Sequence, residues 1–324
     1  MKKANQLSEL IAEGFKLLDE YHYPEALKVG RKLKSMRHSS AFEILALAYL
    51  RSDKLSKAIA VLEEGVSKAG RVWILWELLG NCYSDARQFG EAERAYQKAL
   101  LQEGCNLPVV HLNRAIAFNR ARKFAKAKSA LRYVSSPQLL RRAEACRIRS
   151  ELELGHFGSA QRLALKLCKT RPATIENYDR ESTAEIFLAC ALALKNTPKV
   201  KRTASRLAFK AVESQPNNTE ALAVIREIIN PRKAVTALFH RLIIEGTWTM
   251  PIGKAQKPSG FFRTLEIAAV TEAAAFQYAK PFFPKAIRYS LAVDEAKTFQ
   301  NATPVLEGVY FLSGYLFYEK KKKA

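Results

Sequence analysis

The 324-residue chain lacks any run approaching the ~18 consecutive apolar residues that a membrane-spanning helix needs. A soluble, intracellular protein of the cytoplasm, bacterial in character, is the expectation. Met1-Lys2-Lys3 has the charge of a secretory start, but Ser8, Glu9, Glu13 and Lys16 interrupt any apolar segment that would follow it. The five cysteines, Cys82, Cys105, Cys146, Cys168 and Cys190, stand singly, with no CxxC pair and no clustered histidines, so the ligand spacing of a zinc site is missing. All but Cys105 fall inside predicted helices, where a small, weakly polar side chain suits packing. There is also no GxSxG elbow, Walker loop, HExxH motif or paired-carboxylate arrangement. Catalysis, metal binding and cofactor chemistry have no visible basis, and a non-enzyme is expected.

Acidic residues are scarce as well. The 31 Asp and Glu stand against 53 Lys and Arg, a formal net charge of +22, which is more than solubility requires. The excess is concentrated: between Arg114 and Arg171 a dense series of cations, including Arg120, Arg122, Lys123, Lys126 and Lys128, is opposed only by Glu144, Glu151 and Glu153. A second basic run extends from Lys199 through Lys201 and Arg202 to Arg206 and Lys210. Such a surface suits an acidic protein partner, nucleic acid, or solubility alone. Few aromatics accompany the cations outside Phe118 and Phe124, so base stacking has little support. An acidic protein or peptide is the first expectation, and nucleic acid bound through phosphate contacts is the alternative.

What the chain does have is a repeat. With 48% hydrophobic residues it can bury a sizeable core. In Trp76-Glu77-Leu78-Leu79-Gly80-Asn81-Cys82-Tyr83, followed by Ala92, Tyr96 and Ala99, large residues recur at helical intervals and Gly80 permits a close second backbone. Shifting by ~34 residues finds corresponding units. Phe42, Leu45, Ala46, Tyr49, Ala58 and Leu62 belong to one opening near Ser39, and His111, Ala115, Phe118, Ala127 and Leu131 to one opening near Pro108, where Arg114 replaces the usual leucine. A degenerate first unit opens near Leu7, and a fifth opens near Arg141, keeping Ala160 and the closing Pro172. In a less regular sixth, Ala204, Ala211 and Pro216 fit the second helix, and Asn217-Asn218-Thr219 reads as the cap of a covering helix over Glu220 to Ile229.

The pattern resembles the tetratricopeptide repeat. That resemblance implies a mainly α fold, a right-handed solenoid of helical hairpins over residues 1–232, and a protein-interaction scaffold. In the family the first helix of each unit lines a concave groove, and asparagines there hold the backbone of a bound peptide. Asn81 and Asn113 occupy such positions, and Arg142 occupies a place where the family's carboxylate clamp carries a basic residue. Glu77 and Cys146 stand where the clamp carries lysine and arginine, and a carboxylate at Glu77 would repel a bound C-terminus. Capture of a terminal carboxylate is therefore not expected.

Residues 233–324 read as a small α+β domain with a basic tail. The alternation Leu238, His240, Leu242, Ile244 predicts a strand ending at Trp248, the stretch from Thr249 to Ser259 a loop, and Phe261 to Val270 a second strand. Thr271 caps a predicted helix that Pro281 ends, a helical piece spans Pro284 to Leu291, and extended runs at Val293 to Phe299 and Gly308 to Tyr318 complete a β-β-α-β-β order. His240 and Trp248 share a predicted face, and the expectation for His240 is a satisfied core residue.

Overall fold

The computed structural model describes residues 2–169, 180–229, 233–234, 237–249, 259–300 and 304–318. Its contacts divide the chain into two compact units, 1–156 and 157–324.

The first unit is a succession of helical hairpins: α1 (Lys2–Asp19) with α2 (Tyr23–Ser35), α3 (Ser40–Leu50) with α4 (Leu55–Lys68), α5 (Trp73–Asp85) with α6 (Phe89–Leu100), α7 (Leu107–Arg120) with the short α8 (Phe124–Ala130), and then α9 (Leu140–Glu153). Each helix packs on its sequence neighbours, and first helices also meet across units, α5 touching both α3 and α7. The alanines that recur one unit apart, Ala26, Ala58, Ala92 and Ala127, are all completely buried. Their small side chains let helices approach closely. A Cβ on Gly80 would lie 2.7 Å from the Tyr96 ring, so the glycine is what seats that tyrosine against α5.

The turns that follow α1, α3, α5, α7 and α9 repeat as faithfully as the core. His22, Lys54, Gln88, Lys123 and His156 each donate a backbone hydrogen bond to the carbonyl five residues earlier, at Leu17, Tyr49, Tyr83, Phe118 and Glu151, over 2.8–2.9 Å. The residue just before each donor, Tyr21, Asp53, Arg87, Arg122 or Gly155, has positive φ between 55° and 77°. This is the left-handed C-terminal cap of an α-helix, repeated in the register read from Trp76.

The second unit begins with α10 (Phe157–Lys169), α11 (Arg180–Leu194), α12 (Lys201–Ser214) and α13 (Thr219–Ile229). Ala160 keeps the fully buried alanine of the fifth repeat. The side chain of Asn218 accepts the Ala221 N–H at 2.9 Å, which is the cap expected at the covering helix. Pro172, Arg171, Asn230-Pro231, most of the predicted loop after Trp248, and the Lys320–Lys323 tail lie outside the described residues.

An antiparallel sheet of order β4-β2-β3-β6 follows, built from β2 (Leu238–Trp248), β3 (Ser259–Ala269), β4 (Ala292–Phe299) and β6 (Gly308–Leu312), with β7 (Leu316–Tyr318) also on β3; β1 (Lys233–Ala234) and β5 (Val305–Leu306) form a separate pair. His240, Leu242 and Ile244 are buried on one face of β2, opposite Ile267, Leu265 and Arg263 of β3. Thr271 caps α14 (Glu272–Ala279) by accepting the Ala274 N–H at 3.1 Å. One sequence expectation needs correction. The run Gly308 to Tyr318 is two strands, because the chain breaks at Ser313, whose N–H and Oγ turn back to β3. The helical piece after Pro284 is present as a 3-10 helix over Lys285–Ser290, and β1 and β5 were not foreseen. α13 packs on β6: Arg226 donates to Val309 O at 2.6 Å with its guanidinium 3.7 Å from the Tyr310 ring centroid.

Candidate functional site

In the first unit the buried carboxyl of Glu77 organises the two predicted contact asparagines. Asn81, one turn later on α5, donates to Glu77 Oε1 at 2.6 Å, and Asn113 of α7 donates to the same oxygen at 2.5 Å. The oxygen of Asn81 accepts from Tyr96 of α6 at 2.8 Å. Side chains of α5, α6 and α7 are thus linked in one run of hydrogen bonds that ends on a carboxyl whose residue is 5% exposed. Burial pushes the Glu77 carboxyl above its usual pKa, and the two amide hydrogen bonds oppose the shift. Glu43 of α3 is raised by its own burial and then by Glu77, and Tyr96 is raised well above its usual value by burial and again by Glu77. The structure thus brings Asn81 and Asn113 together and explains the glutamate that spoils the clamp: it fixes both amides. Arg142 is not part of this group. It sits part-buried on α9, and its Nε has no hydrogen-bond partner among the described residues.

The five predicted surface cations divide by what they touch. Arg120 pairs with Asp85 of the preceding first helix. Arg122 reaches Glu153 at 3.3 Å and Lys128 reaches Glu151 at 2.7 Å. Glu151 is 6% exposed; burial raises its pKa, but hydrogen bonds from Lys128 and His156 more than offset this and hold it low. Lys126 lies over Phe118 at 5.9 Å, and neither Lys126 nor Lys123 pairs with a carboxylate among the described residues. Arg114, standing where a repeat has leucine, makes a bidentate pair with Glu93 of α6 at 2.9 and 2.5 Å and covers Phe118. Sequence reasoning missed Glu77 as the organiser and these cross-unit pairs. The available signal was a carboxylate with one asparagine a helical turn away and another about one repeat away.

In the second unit His240 is 3% exposed and satisfied, with Nδ1 3.0 Å from Thr298 Oγ1 and Nε2 3.3 Å from Ala269 O. It is a core residue. No group of His, Cys, Asp and Glu suited to a metal ion occurs among the described residues, and no helix among them is long and apolar enough to cross a membrane.

Solved structures similar to this chain share its hairpin stack. A chain of the Cut9-Hcn1 hetero-tetramer of APC/C aligns with TM-score 0.55 at 14% identity, covering 69% of this chain and 43% of that one. PilW, described as a type IV pilus biogenesis factor, aligns at 0.54 and 17%, covering 68% of this chain and 98% of its own. The fold is that of the tetratricopeptide repeat. PilF of Pseudomonas aeruginosa gives the same tetratricopeptide likeness, TM-score 0.54 at 13% identity over 68% of this chain and 97% of that one. No protein-family model and no curated protein matches the sequence.

Proposed function

We propose that the protein is a non-catalytic scaffold of the bacterial cytoplasm whose tetratricopeptide repeats bind an acidic protein or peptide. The observation that carries this reading is the repeated hairpin itself: successive first helices held in one register by identical caps and fully buried alanines present equivalent surfaces side by side. Asn81 and Asn113, positioned by Glu77, together with Arg142, supply the peptide-contacting positions. Lys123 and Lys126 supply charge that pairs with no carboxylate among the described residues, and Arg120, Arg122 and Lys128 add to the field around that turn. Residues 1–232 form the binding domain in this reading and 233–324 an α+β domain.

The test is affinity capture from native lysate, with and without nuclease, using the parent chain and the Lys123→Glu, Lys126→Glu double variant. A protein partner that survives nuclease, associates more slowly with the double variant, and weakens as salt rises supports the reading. Retention abolished by nuclease would overturn it in favour of nucleic acid bound through phosphates. Binding indifferent to both reversal and salt would remove the acidic partner from the proposal.

A further inference from the structure

The two edges of the sheet in the second unit are unlike. On the outer side of β3, β6 and β7 are short and are separated by the break at Ser313. The opposite edge is β4, eight residues without a proline, which pairs only with β2 among the described residues. All of its residues except Val293 are exposed, so both faces of the strand as well as its outer edge are open. An edge of this kind is a template for another strand.

Its charges say which strand fits. Pairing with β2 sets Lys297 opposite Arg241, Glu295 opposite Ile243 and Phe299 opposite Phe239, so these side chains share one face. Arg241 is drawn to Glu266 of β3 at 2.6 Å, and the Arg241 and Lys297 cations lie 5.5 and 5.8 Å from the Phe299 ring centroid. Across the sheet the order is therefore Glu266, Arg241, Lys297: an acid, a base, and a second base at the edge. Like charges directly opposite each other in a sheet are destabilising, and neither Lys297 nor Glu295 has an oppositely charged partner among the described residues.

We propose that β4 pairs antiparallel with β4 of a second copy of this chain, about a two-fold axis at Ala296, joining two sheets into one. A two-fold axis perpendicular to the sheet keeps each face on its own side. Because side chains alternate along a strand, that axis must fall at a residue rather than between two. With the axis at Glu295 or at Lys297, a charge meets its own copy. With the axis at Ala296, Glu295 faces the partner's Lys297, Lys297 faces the partner's Glu295, and alanine meets alanine. The edge cation gains the acid that its own sheet does not supply, and no like charges oppose each other across the seam. Asp294 is the extra residue of a bulge against β2, which bounds the seam at each end. The contact is short, so the dimer is weak and forms as concentration rises. It does not depend on what the repeats bind.

The test is sedimentation equilibrium of the full chain from low to high micromolar concentration. The parent is expected to pass from monomer to dimer, less readily as salt rises. Lys297→Glu and Glu295→Lys should each raise the dimer dissociation constant at least about tenfold, because each sets like charges along the whole seam. An equimolar mixture of the two single variants should dimerise again, as should the double variant, in which the pairs are restored in reverse. Oxidised Ala296→Cys should link two copies at position 296, since opposed residues of an antiparallel pair have Cα atoms about 4.5–5.5 Å apart. Peptide mapping separates that link from any made by the native cysteines. The substituted positions are all exposed, and circular dichroism checks that each variant is folded. The proposal is overturned if the parent stays monomeric throughout, or if it forms a dimer that neither reversal weakens. It is equally overturned if neither the mixture nor the double variant recovers the dimer, or if no link forms at position 296.

Discussion

The helical repeats satisfy a buried polar group from its own and the adjoining unit, whereas the sheet draws the partners of a buried group from segments that no repeat relates. In the repeats, Glu77 is satisfied by Asn81 one turn away and by Asn113 in the next unit. In the sheet, Arg263 of β3 is 5% exposed and donates to Phe282 O at 2.8 Å, Ser313 O at 2.9 Å and Tyr315 Oη at 3.0 Å, while its guanidinium lies 4.2 Å from the Tyr315 ring centroid. The helical array is a sum of neighbour contacts, so damage should stay near its origin. The sheet is tied together by contacts between distant segments, and damage at one should spread to all of them.

The strongest way to break the contrast is Arg263→Ala. It leaves the Phe282 and Ser313 carbonyls without this donor, removes three charge-assisted hydrogen bonds and opens space beneath Phe283 and Tyr315, so we expect a loss of about 3 kcal/mol. Amide exchange should rise together in β2, β3, β6 and β7. If the rise were confined to the residues beside Ser313, the sheet would not be one cooperative element.

Next comes the repeat counterpart, Gly80→Leu. The added side chain meets Tyr96 at a distance no Cβ tolerates, and overpacking should cost about 2 kcal/mol, as should Ala92→Leu at a completely buried position. Here exchange should rise in α5, α6 and the helices touching them, and leave the β-strands as they were. Unfolding curves that matched the parent for both variants would remove the close-contact role of these positions.

That difference in range also decides what could be read from the sequence. The hairpin register was legible because every unit restates it: the small residues at Gly80 and Ala92 fix the openings, and the caps at Asp53, Arg87, Arg122 and Gly155 fall where those openings put them. β2 and β3 were legible from the alternation through Leu242, Ile244, Phe261 and Leu265. The division of Gly308–Tyr318 into two strands was not, because it is caused by Ser313 meeting Thr264, a contact with no local trace. The same holds at the candidate site. Asn81 and Asn113 were visible as family positions, whereas their shared bond to Glu77 depends on how α5 and α7 meet.

A pH titration sharpens the comparison at Glu77. Its folded pKa is raised, so above the usual carboxylate range the unfolded chain has lost a proton that the folded chain still holds, and stability falls as pH rises through the folded value. Glu77→Gln keeps an oxygen for Asn81 and Asn113 and removes the ionisation. The variant should therefore lose less stability than the parent over that window, with the gap widening as pH rises and then levelling. The Glu43 carboxyl should also titrate lower, since Glu77 is one of the two causes raising it. Parallel stability curves for the two proteins would show that folding does not raise the Glu77 pKa.

The smallest effects belong to the hairpin caps. Arg87 is exposed and sits at φ 59°, a left-handed conformation in which its Cβ is strained and glycine is not. Glycine's extra freedom in the unfolded chain offsets part of the relief. Arg87→Gly should thus stabilise by about 0.5 kcal/mol, whereas Gly155→Ala, at φ 77°, should cost about 1 kcal/mol by imposing the same strain. Because each cap serves one hairpin, the two changes should add when combined, leaving a net loss near the difference. Thermal melts of the two single variants and the double check this directly. Opposite signs that sum mean independent hairpins; a double variant far from the sum would mean that the repeats communicate over more than a neighbour, and that the helical region behaves as the sheet does.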